Sequence, residues 1–299
     1  SALGDKKLSY VGYSYGTRLG STYAEEFPKN VRALVLDGAL DPQQDSVSAV
    51  VDQGRGFQKA FDAFSQWCAT RSDCPLGNDP TKATLNYRKL VEPLIDTPLG
   101  LPDGRKLSYD DATTATIQAL YSDQFWQPLG TALTQLEDQH NGQTLMSLAD
   151  IYYERGSDGN YSTTQDASEA VRCVDDPRVT DKKVLVTAEK RYQKAAPFLA
   201  SGVPSSGALD SCAFWPVPNT SKPHLPKVSG LPPTLVISTT NDPATPYAAG
   251  VNLAKALDGR LLTFAGTQHT VFLQGKKCVD DAGARYLIDL KLPDDGKRC

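Results

Sequence analysis

Apolar positions along the chain switch between two periods. The runs around Leu8 to Val11 and from Val31 to Leu36 are short, β-branched or aromatic, and bounded by turn residues, which reads as two strands, the second buried on both faces. Between them Leu19, Tyr23 and Phe27 repeat every fourth residue. That spacing predicts a helix from about Tyr15 with this stripe inward, stopped by Pro28. From about Asp45 the period is helical, with Val50, Phe57, Phe61 and Phe64 on one face of a helix ending near Cys68. Further helices are expected over 81–95, 111–121, 125–139, 145–153 and 182–199. Asp103-Gly104 signals a hairpin between Leu101 and Tyr109. A polar loop covers 154–165, and the stretches 201–208 and 216–226 are rich in proline, serine and glycine. Strand character returns at 233–238 and 260–264, each followed by a loop (239–246 and 265–269) and then a helix (247–257 and 278–290).

This order predicts an α/β class chain, a mostly parallel sheet with helices on both faces, interrupted by a large helical insertion. The expected division is 1–42 for the first part of the core, 43–225 for the insertion and 226–299 for the rest of the core. Ser1 to Gly4 resembles a helix end capped by Gly4, leading straight into the first strand. A central parallel strand needs neighbours that normally come earlier, so the expectation is that N-terminal strands are missing and that residues 1–299 alone are unstable and inactive.

Composition narrows the class. The 299 residues are 40% hydrophobic and 22% charged, and the formal net charge is −4, which gives no reason to expect nucleic acid or an anionic membrane as partner. No apolar run approaches the roughly 20 residues that span a bilayer. The six cysteines are even in number, with no Cys-x-x-Cys pair and no histidines at zinc spacing. They point to disulfides in an oxidising compartment rather than to a metal site.

The chemistry concentrates in Gly12-Tyr13-Ser14-Tyr15-Gly16. Gly-x-Ser-x-Gly between a strand and a helix is the sequence form of a nucleophile elbow. Glycines on either side let strand and helix pass close together, and the helix N-terminus supplies the Tyr15 backbone N–H for an oxyanion. A serine hydroxyl needs a base and a carboxylate that fixes the base's tautomer. In α/β-hydrolase order these follow as acid and then histidine, on loops after later strands. Of three histidines, His140 lies in a polar helix end and His224 in the proline-rich linker. His269 follows a strand. Asp242 does so too, in Asp242-Pro243-Ala244-Thr245-Pro246, where the Thr245 hydroxyl is expected to orient the carboxylate. The candidate constellation is Ser14 as nucleophile, His269 as base and then acid, and Asp242 as orienting carboxylate, with no metal or cofactor implied.

Four stretches carry a more specific resemblance: Val11-Gly-Tyr-Ser-Tyr-Gly-Thr-Arg-Leu-Gly20, Ala170-Val-Arg-Cys-Val-Asp175, Cys212-Ala-Phe-Trp-Pro216, and the tail with Asp242, His269, Cys278, Tyr286-Leu287, Pro293 and Cys299. Over essentially its whole length the chain resembles the C-terminal part of the secreted tripeptidyl aminopeptidase-like serine peptidases of actinobacteria, in the α/β-hydrolase peptidase group that includes prolyl aminopeptidases. The resemblance implies an α/β-hydrolase fold, an exported precursor whose N-terminal part is a partner of this chain, and a helical lid over the sheet edge. It also implies release of short peptides from free N-termini. Nearest-in-sequence pairing, supported by this likeness, gives Cys68–Cys74, Cys173–Cys212 and Cys278–Cys299 among 15 possible connectivities.

An aminopeptidase needs an anion for the substrate's α-ammonium. Asp175 and Asp176 are the first candidates, with Asp37 and Asp41 ranked behind them. Asn160-Tyr-Ser and Asn219-Thr-Ser match glycosylation sequons, which a bacterial source would leave unused. Two rival readings share the scaffold: an esterase or lipase, because the same triad serves both chemistries, and a catalytically silent binding protein.

Overall fold

The computed structural model describes residues 4–299, so the helix end expected over Ser1–Leu3 lies outside the described residues. The chain forms two compact units, Ser1–Asp45 with Pro223–Cys299, and Ser46–Lys222. The divisions thus fall after 45 and 222 rather than after 42 and 225.

The first unit opens with β1 (Leu8–Tyr13), α1 (Tyr15–Glu26) and β2 (Val31–Asp37). The helical unit follows: α2 (Ser46–Ala69), α3 (Ala83–Val91), α4 (Pro93–Asp96), the small hairpin β3 (Leu99–Gly100) and β4 (Lys106–Leu107), α5 (Tyr109–Leu120), α6 (Trp126–Gln139), α7 (Gln143–Tyr152), α8 (Thr164–Asp175) and α9 (Lys182–Ala195). The first unit resumes with β5 (Leu235–Thr239), α10 (Tyr247–Ala256), β6 (Arg260–Phe264) and α11 (Lys277–Asp289).

Its sheet is parallel throughout, in the order β1-β2-β5-β6. Successive residues of β2 alternate between two cores, as the period of a strand requires. Ala33 and Val35 pack with Leu235, Ile237 and Leu262 against Val279 and Tyr286 of α11. Leu34 and Leu36 point the other way, toward Ala24 of α1 and toward Leu253 and Ala254 of α10. Helices therefore cover both faces, which is why β2 and β5 read as unbroken apolar runs rather than as alternating ones.

Helix α1 turns a different side inward from the one its spacing predicts. Its buried residues are Thr17, Gly20, Ser21 and Ala24, whereas Leu19 and Phe27 are exposed. The reason is proximity. A Cβ on Gly20 would sit 2.7 Å from Leu36 Cδ2 and 2.9 Å from Tyr10 Cε1, so only small residues fit where the helix crosses the sheet. At the far edge, β6 is extended by the tail. Thr263 N donates to Lys297 O (3.1 Å), Cys299 N donates to Thr263 O (2.8 Å), and the Cys278–Cys299 disulfide ties this tail to α11.

In the helical unit, Phe61 stacks on Phe198 with ring centroids 4.5 Å apart and meets Tyr87 edge-on. The buried Tyr87 hydroxyl is satisfied by Thr116 Oγ1 at 2.8 Å. Val51 joins this core side of α2, and Val50, assigned inward by the spacing, is exposed. The helix expected over 81–95 is broken into α3 and α4 at Pro93, which has no N–H to continue the ladder. The one expected over 182–199 stops at Ala195 because Pro197 pushes Ala196 out of the helical region, to φ −128° and ψ 69°. Helix α8 begins at Thr164, inside the stretch read as loop.

Cys68–Cys74 and Cys173–Cys212 are also joined. The latter links positions 39 residues apart and connects the last turn of α8 to the segment before the linker. Loop-closure entropy for a loop of that length is about 4 kcal/mol. The paired change Cys173→Ser with Cys212→Ser is expected to lower the unfolding free energy by roughly 3 to 4 kcal/mol in urea titrations of the full-length protein. A loss below about 1 kcal/mol would show that packing alone holds this segment.

Candidate active site

At the end of β1 the backbone makes a sharp reversal. Ser14 has φ 52° and ψ −119°, a conformation that non-glycine residues avoid and that persists only where the surroundings over-determine it. Several bonds do so. Ser14 N donates to Asp37 O (3.0 Å), and Ser14 O accepts from Thr17 N (2.9 Å) and Thr17 Oγ1 (2.7 Å). A Cβ on Gly12 would lie 2.5 Å from Gly16 O and 2.6 Å from Tyr10 Cε1, so the first glycine of the motif is a steric necessity. The Tyr10 hydroxyl donates to Gly16 O at 2.9 Å and fastens the helix start to the strand. Ser14 is half-buried, and Tyr15 is the first residue of α1. Its N–H is therefore one of the helix-terminal donors that favour an anion.

Asp242 and His269 lie in the loops that follow β5 and β6, at the same carboxyl edge of the sheet. His269 Nδ1 is 2.9 Å from Asp242 Oδ1 and 3.0 Å from Oδ2. Since the carboxylate only accepts, this bond assigns the proton to Nδ1 and leaves Nε2 with its lone pair. Asp242 is held in turn by the backbone. Oδ1 accepts from Ala244 N (2.9 Å) and Thr245 N (2.8 Å), and Oδ2 from Thr270 N (3.4 Å). The expected role of the Thr245 hydroxyl needs correcting. It is the Thr245 N–H that orients the carboxylate, while the hydroxyl lies 3.4 Å from His269 Nδ1. Both side chains are screened from bulk water, Asp242 fully and His269 to all but 10%.

Asp37, weighed in the sequence as an anchor for a substrate amine, cannot serve as one. It is fully buried. Its Oδ2 accepts from Val271 N (2.6 Å) and Phe272 N (2.7 Å), and Oδ1 has no hydrogen-bond partner among the described residues. Burial pushes its carboxyl up to about 6, against the pull of these two N–H groups; the nearby Asp242 charge adds to the rise and His269 opposes it. Asp41 is engaged with Asn252 Nδ2 (2.6 Å) and Gln43 N (3.0 Å). Asp175 closes α8 and Asp176 is its C-cap, both in the helical unit. Of the other histidines, His140 caps α6 in the left-handed region and His224 pairs with Glu25 at 2.8 Å. Among the described residues, the group Glu169, Cys173 and Cys212 has the compactness of a metal site, but both sulfurs are spent in the disulfide.

Chemically, the sheet edge thus carries a strained, accessible hydroxyl, an imidazole with a fixed tautomer, and a helix terminus. These are the parts of an acyl-transfer centre.

Comparison with known proteins agrees with this architecture. Residues 196–299 match the family described as TAP-like protein. Over its whole length the chain is 50% identical to serine protease Hip1 of Mycobacterium tuberculosis strain H37Rv, of which it covers 59%. It is 47% identical, over 92% of its length, to carboxylesterase B of the same strain, covering 53% of that protein. It is 27% identical, over 96% of its length, to tripeptidyl aminopeptidase of Streptomyces lividans, again covering 53%. The chain therefore spans less than two thirds of the length of these curated relatives. Its fold is that of the α/β-hydrolases.

Proposed function

We propose that this chain carries the catalytic centre of an exported serine peptidase that releases short peptides, of tripeptide length, from free N-termini. The observation that carries the reading is the buried Asp242–His269 pair at the sheet edge where Ser14 is held in its strained turn. In this mechanism His269 Nε2 takes the Ser14 proton as Oγ attacks the scissile carbonyl, and the Tyr15 N–H receives the developing oxyanion. The imidazolium then gives its proton to the leaving amine. Water, activated by the same nitrogen, cleaves the acyl-enzyme.

Support for a peptidase comes from the 50% identity to Hip1, and support for the tripeptide reading from the more distant tripeptidyl aminopeptidase. The three disulfides favour an extracytoplasmic site of action, and no helix among the described residues is long and apolar enough to cross a membrane. The helical unit is the proposed lid, with Asp175 and Asp176 as the proposed anchor for the substrate's ammonium group. A further, N-terminal part of the same protein is the proposed partner of the first unit. The edge position of β1 among the described residues and the exposed Leu19 on α1 and Phe27 at its C-cap support it.

A second reading, an esterase on the same centre, is favoured by the 47% identity to carboxylesterase B. One experiment separates the two. Full-length protein is given a tripeptide anilide with a free or an acetylated N-terminus, and beside them a short-chain ester. The proposal expects turnover of the free-amine peptide at least about 10-fold faster than of the acetylated one, since losing an ion pair worth about 1.4 kcal/mol is a tenfold change. Equal rates on both peptides would make the enzyme an endopeptidase or a permissive hydrolase. Turnover of the ester alone would establish the second reading.

A further inference from the structure

We infer that Asp37 is a positioning residue for the reaction, holding the His269 loop in register with the Ser14 elbow. The inference rests on the Ser14–His269–Asp242 reading above and adds a member that touches neither substrate nor reacting atoms.

Asp37 is the last residue of β2 and pairs in register with Tyr13, the residue before Ser14. Its main-chain carbonyl takes the Ser14 N–H at 3.0 Å. Its side chain reaches the other way, and Oδ2 takes the N–H groups of Val271 and Phe272, two and three residues past His269. One residue thus grips both the turn that presents the nucleophile and the segment that carries the base. A second strut runs parallel to it, because the Tyr13 hydroxyl donates to Phe272 O at 3.1 Å.

The segment needs such a grip. Thr270 has φ 59° and Leu273 has φ 62°, so a β-branched residue and a leucine both sit in the left-handed region within four positions. Each is a conformation that surrounding bonds must impose. Two N–H bonds to one carboxylate oxygen supply that constraint at the centre of the strained stretch. The residue after Asp37 completes the fit: Gly38 has φ +67°, and a Cβ there would meet Thr270 Cγ2 at 2.9 Å and His269 Cε1 at 3.2 Å. The end of β2 is therefore the seat on which the histidine rests.

A purely structural role accounts poorly for an acid at this place. A buried carboxylate with one oxygen unpartnered is a poor contributor to stability, and apolar or neutral groups serve a core better. A charge that strengthens bonds to a loop carrying the base accounts for its presence. The ionisable groups facing it are Asp242, which disfavours its charge, His269, which favours it, and Tyr13, held above the usual phenol range by burial first and by Asp37 and Asp280 next, and so neutral throughout the pH range of interest.

The test uses full-length protein and a serine-reactive fluorophosphonate probe, which reports the competence of Ser14 without a known substrate. Four proteins are compared: the parent, Ser14→Ala, Asp37→Asn and Asp37→Ala. The labelling rate of Asp37→Asn at pH 8 is expected to fall about 10- to 100-fold, as a misplaced catalytic group would cause. Asp37→Ala, which leaves both N–H groups unpaired, falls further. The decisive readout is the pH dependence. Parent and Asp37→Asn should converge below about pH 5, where the parent's own Asp37 is protonated, so their rate ratio tends to one.

A ratio that stays constant across pH, or no loss at pH 8, would overturn the positioning role while leaving the triad intact. Labelling that survives Ser14→Ala would instead overturn the reading on which the inference rests. If neither Asp37 variant folds, the parent decides alone: its labelling rate should fall on the acid side more steeply than one protonation allows, and a one-proton limb would refute the inference.

Discussion

Full-length protein carrying Ser14→Ala is expected to hydrolyse peptide anilides about 10⁶-fold more slowly than the parent, with KM nearly unchanged. The size of the loss follows from what remains. The alanine has no oxygen to form the acyl-enzyme, and water would have to attack in a site shaped for an attached nucleophile. The turn itself should survive, because the bonds that hold it use the Ser14 main chain, to Asp37 O and from Thr17, and not its hydroxyl. A steady-state assay with active-site titration of the parent measures the ratio. A fall of less than about 100-fold would mean that another group makes the first bond.

Asp242→Asn is the second large effect, and its cause is a tautomer. Oδ1 of Asp242 accepts two backbone N–H groups, from Ala244 and Thr245. An asparagine would keep its carbonyl oxygen there and turn its NH₂ toward His269 Nδ1. A donor facing Nδ1 forces that nitrogen to accept, so the ring proton moves to Nε2 and the base facing the serine is lost. The expected loss in kcat is about 10⁴-fold at neutral pH with KM nearly unchanged. The two bonds to Oδ1 stay, and only the long Thr270 N–H bond to Oδ2 (3.4 Å) is given up, so the melting temperature falls slightly. A loss below about 10-fold in the same assay would show that Asp242 does not fix the ring.

The α/β order and the residues at its loops were legible because each rests on neighbours in sequence. Ser14 is marked by glycines two positions away, and Asp242 and His269 each follow a short apolar strand directly. Where the reading failed, the cause lay across space. The inward side of α1 is set by the approach of Leu36 and Tyr10 to Gly20, so a search for a large apolar stripe selects the outer side instead. Asp37 looked like a loop acid because its partners, Val271 and Phe272, lie 234 and 235 residues further on. Thr245 does hold Asp242, but through its N–H rather than its hydroxyl, since a hydroxyl is visible in a sequence and the direction of an N–H is not. Prolines at 93 and 197 carried local information that the periodicity over 81–95 and 182–199 concealed.

The tail that extends β6 has a consequence for the protein's life in solution. A free strand edge is a template for another chain, and proteins that expose one tend to self-associate. Here residues 297–299 close that edge by bonding to Thr263 on both sides, and Cys299 ties them to α11. Reducing this one bond would loosen the cover of that edge without touching Ser14, Asp242 or His269. The Cys278–Cys299 bond thus acts on a strand edge and not on the loops that carry Asp242 and His269, and such a bond persists only in an oxidising compartment.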